Sequence, residues 1–222
     1  MKQLLSIVGF LAVLSLTHAQ TNDQEQSDPK AKKILDELSA KTKTFNSISA
    51  EFTSILDNKA ADLHIEQEGK LLMQGDQFNL HLGEYHIITN GETTWTYAKE
   101  ENEVYIENNE DIEDEDAIKP SELFTIWESG FRYQYAGELT LDGKNCDQIN
   151  LFPKEPAKKT FHTIRLFIDK DKREIVKVMM LGKGGEISTY VLKKFTPNAT
   201  VKASDFVFTK SDYPGVDVID NR

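Results

Sequence analysis

A single cysteine, Cys146, stands in a chain of 222 residues. No intramolecular disulfide can form, so the fold must rest on its hydrophobic core. The stretch around it, "GKNCDQINLF", reads as a strand and marks Cys146 as a buried apolar thiol, not a nucleophile. Long hydrophobic runs are scarce as well. The one at residues 4–16 is shorter than the roughly 20 residues a spanning helix needs. Positive charge is in deficit, with 26 Lys and Arg against 37 Asp and Glu and a net charge of −11. Such a surface repels nucleic acid and anionic lipid. Metal-binding motifs, phosphate loops and nucleophile elbows are missing too. Asp and Glu are abundant enough for a hydrolase, but no spacing singles out a pair.

What is present begins with "MKQLLSIVGFLAVLSLTHAQ". Lys2, the short apolar run and the small residues Thr17 and Ala19 have the layout of a secretory signal peptide cleaved after Ala19. The expected location is therefore beyond the inner membrane, secreted or periplasmic. No cysteine follows the cleavage point, so the expected new N-terminus carries no lipid attachment site. Residues 20–27 are polar and expected to be disordered. Residues 28–222 then form one domain, without an internal repeat or a second composition regime.

Within it, "DPKAKKILDELSAKTKTF" predicts an amphipathic helix. Asp28 is the cap, Pro29 the first helical residue, and Ala31, Ile34, Leu35 and Leu38 the buried stripe. A second helix is predicted near "KPSELFTIWESG", with Leu123, Phe124, Ile126 and Trp127 on its apolar side. Elsewhere the apolar period is two, giving about ten strands. The economical architecture is one strongly curved or partly closed antiparallel sheet with helices against one face. The insert "ENNEDIEDEDAIKP" carries seven acidic residues between positions 107 and 116. Calcium is one reading and a solvated loop the other, but the spacing does not match an EF-hand.

The stretch "QGDQFNLHLGEYHIITNGETTWTY", residues 74–97, holds three turn signals. Two-residue turns at Gly75-Asp76 and Gly83-Glu84 pair Met73 with Phe78, Leu71 with Leu80, Leu82 with Tyr85 and Leu80 with Ile87. A three-residue turn at Thr89-Asn90-Gly91 then pairs Tyr85 with Trp95 and Ile87 with Thr93. This register puts Leu71, Met73, Phe78, Leu80, Leu82, Tyr85, Ile87, Trp95 and Tyr97 on one greasy face. Lys70, Gln74, Gln77, Asn79, His81, His86, Thr94 and Thr96 fall on the wet one. A two-residue Asn-Gly turn would instead move Trp95 to the other side. His81 and His86 become cross-strand neighbours, a potential zinc pair without an evident third ligand. The greasy face is either core or a hydrophobic cavity under a movable lid, and periodicity alone does not choose.

The tail "STYVLKKFTPNATVKASDFVFTKSDYPGVDVIDNR" resembles the end of the periplasmic outer-membrane lipoprotein carriers, the LolA-type family. Tyr190 and Leu192, Phe206 and Phe208, and the run from Pro214 through Gly215 and Val216 to Val218 carry the likeness. "FNLHL", "ITNGETTWTYA" and "SISAEFTSIL" resemble the family's aromatic strand, its central hairpin and its helix-to-strand entry. The resemblance implies an α+β fold, a curved, incompletely closed antiparallel barrel of about ten or eleven strands with helices packed as a lid on its concave face.

It also implies a non-enzymatic soluble chaperone without a cofactor, expected to be monomeric. Its cavity would take the acyl chains of lipoproteins and carry them from the inner to the outer membrane. The implied partners are acylated lipoproteins, an inner-membrane releasing transporter and an outer-membrane acceptor, with no nucleic acid. The implied acyl cavity is the greasy face together with Phe124 and Trp127, and Phe78 falls where the family has a cavity-lining phenylalanine. One departure stands out. Bacterial members carry a lid-holding arginine in the strand before that phenylalanine, and "LLMQGDQ", residues 71–77, has none. A carrier of another acylated molecule, a protein-docking module of the cell envelope and a hydrolase are the alternative readings.

Overall fold

The computed structural model describes residues 28–110 and 125–222. The expected leader 1–19, the polar stretch 20–27, acidic residues 111–116 and Phe124 lie outside them. Helix α1 (Pro29–Thr42) forms where the cap and stripe place it. Asp28 Oδ1 accepts from the N–H of Lys30 at 2.7 Å and of Ala31 at 3.3 Å, which satisfies donors the first turn leaves unpaired. Ala31, Ile34, Leu35 and Leu38 are buried, and each large aliphatic chain contributes about 1.5–3 kcal/mol.

Among the described residues twelve strands follow, one or two more than expected. They are β1 (Ile48–Asn58), β2 (Leu63–Gln74), β3 (Gln77–Leu82), β4 (Tyr85–Thr89), β5 (Thr93–Ala98), β6 (Glu103–Asn108), β7 (Phe131–Leu141), β8 (Lys144–Pro153), β9 (Phe161–Asp169), β10 (Glu174–Gly182), β11 (Ile187–Pro197) and β12 (Asp217–Asp220). They make one sheet in the order β12-β6-β5-β4-β3-β2-β1-β11-β10-β9-β8-β7. Every pairing is antiparallel except that of β12, which lies parallel to β6. The sheet curves without closing, since β12 and β7 end it as two edges. The second predicted helix is represented among the described residues by a single 3-10 turn, Ile126–Glu128.

Free edges invite pairing with other chains. The β7 edge is closed in part by the start of α1. Asp28 N–H donates to the Tyr133 carbonyl at 3.1 Å, and Asp28 Oδ2 accepts from Tyr135 N–H at 3.2 Å. One aspartate thus caps the helix and covers an edge.

Two cores sit on opposite faces. On the inner face, the one that carries α1, the helix stripe packs with Ile48, Ala50, Leu71 and Met73 and with Ile149, Leu151, Ile164, Leu166, Ile168, Ile175 and Val178. On the outer face, Ile88, Val104 and Ile106 are buried in β4 and β6, and Phe206 and Val216 in the segment that leads to β12. That segment is fastened across the outer face. Asn79 Nδ2 donates to the Asp205 carbonyl at 2.7 Å, and the Tyr213 hydroxyl bonds His86 Nδ1. Cys146 is fully buried, and burial raises its thiol pKa, the environment of an inert thiol.

Candidate functional site

The first two hairpins adopt the expected registers. Met73 faces Phe78, Leu71 faces Leu80, Leu82 faces Tyr85 and Leu80 faces Ile87. Gly83 holds the second turn at φ 55°, a conformation suited to glycine. The third hairpin differs from the expected register. Thr89 pairs with Thr94, Ile88 with Trp95 and His86 with Tyr97. The loop has four residues, 90–93, because side chains build it. Asn90 Oδ1 accepts from the N–H of Glu92 at 2.9 Å and of Thr93 at 2.8 Å. The Thr89 hydroxyl donates to the Thr93 carbonyl at 2.9 Å. This Asx-type turn changes the parity of the loop. Trp95 and Tyr97 therefore stand on the outer face, and Thr94 and Thr96 on the inner one. The Trp95 and Tyr97 placements in the greasy face are corrected accordingly.

The remaining inner-face residues divide into two groups. Leu71 and Met73 are buried under α1 in the inner core, and Trp127 is buried with its Nε1–H donating to Ser39 Oγ at 2.8 Å. Phe78, Leu80, Leu82 and Ile87 are half-buried, and Tyr85 is 51% exposed. Beside them on the same face stand Ile65 at 40% and Leu63 at 39% exposure, and half-buried Phe52 and Leu56. The tip of the Phe52 ring sits over Gly69 of β2. A Cβ at Gly69 would fall 2.2 Å from the ring, so only glycine admits it there. The result is an apolar surface covered by α1 at one end and open to water at the other. A pocket of about 580 Å³ also lies between α1 and the Trp127 turn. Its polar rim of Lys32, Asp36, Lys43 and Glu128 suits water better than a fatty tail.

No arginine fastens α1 from β2, but the turn between β9 and β10 does so. Arg173 Nε lies 2.9 Å from Glu37 of α1, and its Nη1 lies 3.1 Å from the buried Asp147 carboxylate. Lys41 reaches Glu174 at 2.8 Å, and Lys43 reaches Glu128 at 2.7 Å. The Tyr135 hydroxyl donates to Asp147 Oδ1 at 3.1 Å. Sequence reasoning missed this group. "DKDKREIVK", residues 169–177, reads as a polar turn, and nothing local ties it to positions 37 and 147.

On the outer face the His81 and His86 rings stack 3.6 Å apart. Asn79 spends its amide on Asp205, so its oxygen accepts from His86 Nε2–H at 2.8 Å, and Nδ1 accepts from Tyr213. Burial, and secondarily the neighbouring His81, lowers the His86 pKa from 6.5 to about 4. The unfolded chain then takes up a proton below pH 6.5 that the folded protein refuses until about pH 4. Stability is thus full above pH 6.5 and falls between those values, by on the order of 1–2 kcal/mol once solvent screening is allowed for. Urea midpoints measured from pH 7 to pH 5 should fall more steeply in the native protein than in His86→Gln. Parallel slopes would show that His86 does not carry the effect.

Residues 43–209 match the family described as outer membrane lipoprotein carrier protein LolA. No curated protein matches the sequence. Among solved structures, an uncharacterised conserved protein from Thermus thermophilus superposes with a TM-score of 0.53 at 11% identity, over 86% of this chain and 99% of its own. LprF from Mycobacterium bovis superposes with a TM-score of 0.51 at 16% identity, over 79% of this chain and 97% of its own. At such identities these likenesses show the fold alone. The family match begins just after α1 and takes in the inner-face strands β1 to β11 and the start of the outer-face segment, and the chain belongs to the LolA family.

Proposed function

We propose that this protein is a soluble periplasmic carrier that shelters the acyl chains of lipoproteins and moves them from the inner to the outer membrane. The observation that carries the reading is the half-covered inner face. Phe78, Leu80, Leu82, Tyr85 and Ile87 continue the inner core past the edge of α1, where Phe78 and Leu80 still pack against it but all five stay partly exposed. Phe52, Leu56 and Ile65 extend the same apolar floor.

Each methylene moved from water onto such a surface gains about 0.8 kcal/mol, so a few acyl chains supply ample affinity. The polar ties of α1 at Arg173, Lys41 and Lys43 break without opening the apolar sheet beneath. In this reading no covalent bond is made or broken. The donor is a membrane transporter that releases the lipoprotein, and the acceptor is a receptor at the outer membrane that offers the chains a drier site. The LolA family, whose name describes lipoprotein carriers, supports the same reading.

Native mass spectrometry of the protein purified from its own cell envelope tests the proposal. An acylated lipoprotein should travel with it, and the delipidated protein should take up a fluorescent palmitate analogue that unlabelled acyl chains displace. A protein that carries no acylated species and ignores the analogue would overturn it.

A further inference from the structure

The β2 strand is longer than its neighbour. It pairs with β1 from Leu63 to Met73, but with β3 only from Gly69 to Gln74. At the turn after β3, Gly83 N–H still reaches the Glu68 carbonyl at 3.4 Å. Beyond that point β3 has turned back into β4, and among the described residues no strand lies in the lane beside residues 63–67. Glu68 points its backbone groups toward β3. By the alternation of antiparallel ladders, Glu66 and His64 point theirs into the vacant lane. Side chains frame the lane as well. Ile65 and Leu63 are exposed on the inner face, and His64 and Glu66 on the outer. The hairpin is kept extended by its pairing with β1 and by the contact of His64 Nδ1 with Asp57 at 2.6 Å.

We infer that this lane receives an extended stretch of polypeptide, the part of the cargo that adjoins its acylated end, as an added strand on β2. The inference rests on the carrier reading and names how that carrier would grip the protein half of its cargo.

Three observations select this occupant. Free N–H and C=O groups in a row match another backbone in extended form, and alternate apolar side chains match Leu63 and Ile65. The lane is continuous with the apolar floor, since Ile65 stands in the same row of β2 as Leu71 and Met73. A chain whose acyl group lies on Leu80 and Leu82 therefore leaves the floor beside this edge. The charge also fits. Glu68 is paired with Lys193 and Asp57 with His64, and at the lane Asp62 and Glu66 stand against Lys59, so a neutral or basic segment is favoured over an acidic one. At about 3.4 Å per residue the lane holds roughly five residues of guest strand.

The test compares palmitate, an N-palmitoylated peptide of about eight residues alternating valine with lysine and serine, and the same peptide N-methylated at the positions that would face β2. The unmethylated peptide should bind about tenfold tighter than the methylated one, the worth of one or two net backbone hydrogen bonds. Amide exchange at His64 and Glu66 should slow on its addition. Glu66→Pro removes one of the free N–H groups without touching the β1 ladder, and in that variant the difference between the two peptides should disappear. If palmitate and both peptides bind, with no difference on methylation and no protection of His64 and Glu66, the lane is not a docking site and the carrier reading stands. If none of the three binds, the carrier reading falls and this inference falls with it.

Discussion

Leu80→Glu should weaken the binding of an acyl chain by about a hundredfold or more, while His81→Glu leaves it within about threefold. The two residues are neighbours on β3 and face opposite ways. Leu80 sits between Leu71 and Ile87 on the inner floor, and a carboxylate there must either lose its water or keep the acyl chain away. His81 pairs with Lys70 and His86 on the outer face, where a second charge stays hydrated. Leu80 also packs against the inner core, so its replacement costs stability, about 1–3 kcal/mol. Displacement of a fluorescent fatty acid is therefore measured well below each variant's unfolding temperature. Equal loss in two folded variants would mean that the acyl chain does not lie on this face.

Arg173→Met should destabilise the protein by about 3 kcal/mol. Asp147 is 2% exposed, and the guanidinium is the cation that lies against it. Without Arg173 the buried carboxylate keeps the Tyr135 hydroxyl and the more distant charges of Lys30 and Lys170 but loses its contacting cation, and Glu37 loses its tie to the β9–β10 turn. Removing the charge from both sides, in Arg173→Met with Asp147→Asn, should recover most of the loss, because an uncharged amide is far cheaper to bury alone. A double-mutant cycle by urea unfolding reads the coupling. Amide exchange within α1 should quicken in the single Arg173 variant. A neutral Arg173→Met would show that the helix is held by its apolar stripe alone.

Much of this arrangement could be read from local chemistry. Asp28 and Pro29 announced α1, and the glycine turns set the first two hairpins, because those signals act between residues a few positions apart. The third hairpin escaped for a related reason. Its Asn-Gly pair suggested a short loop, but Thr89 and the Asn90 side chain bind the backbone first and lengthen it by one residue. One residue is enough to move Trp95 and Tyr97 to the other face. The Arg173 group was out of reach altogether. Positions 147 and 173 meet through the β8–β9 register and position 37 joins them only when α1 docks, and no pattern in the sequence records that meeting. Trp127 showed the limit in another way. Its apolar character was evident, but the hydroxyl at Ser39 that fixes its ring was not.

The buried residues behind β4 and β6 bear on how the molecule could open. The wall that carries Leu80, Leu82 and Ile87 is fastened from behind, where Asn79 holds the Asp205 carbonyl and Tyr213 reaches His86. That buttress makes no use of α1. The cost of lifting the helix would therefore fall on its own apolar stripe and its ties to Arg173 and Glu174, while the wall keeps its fastening on the far side.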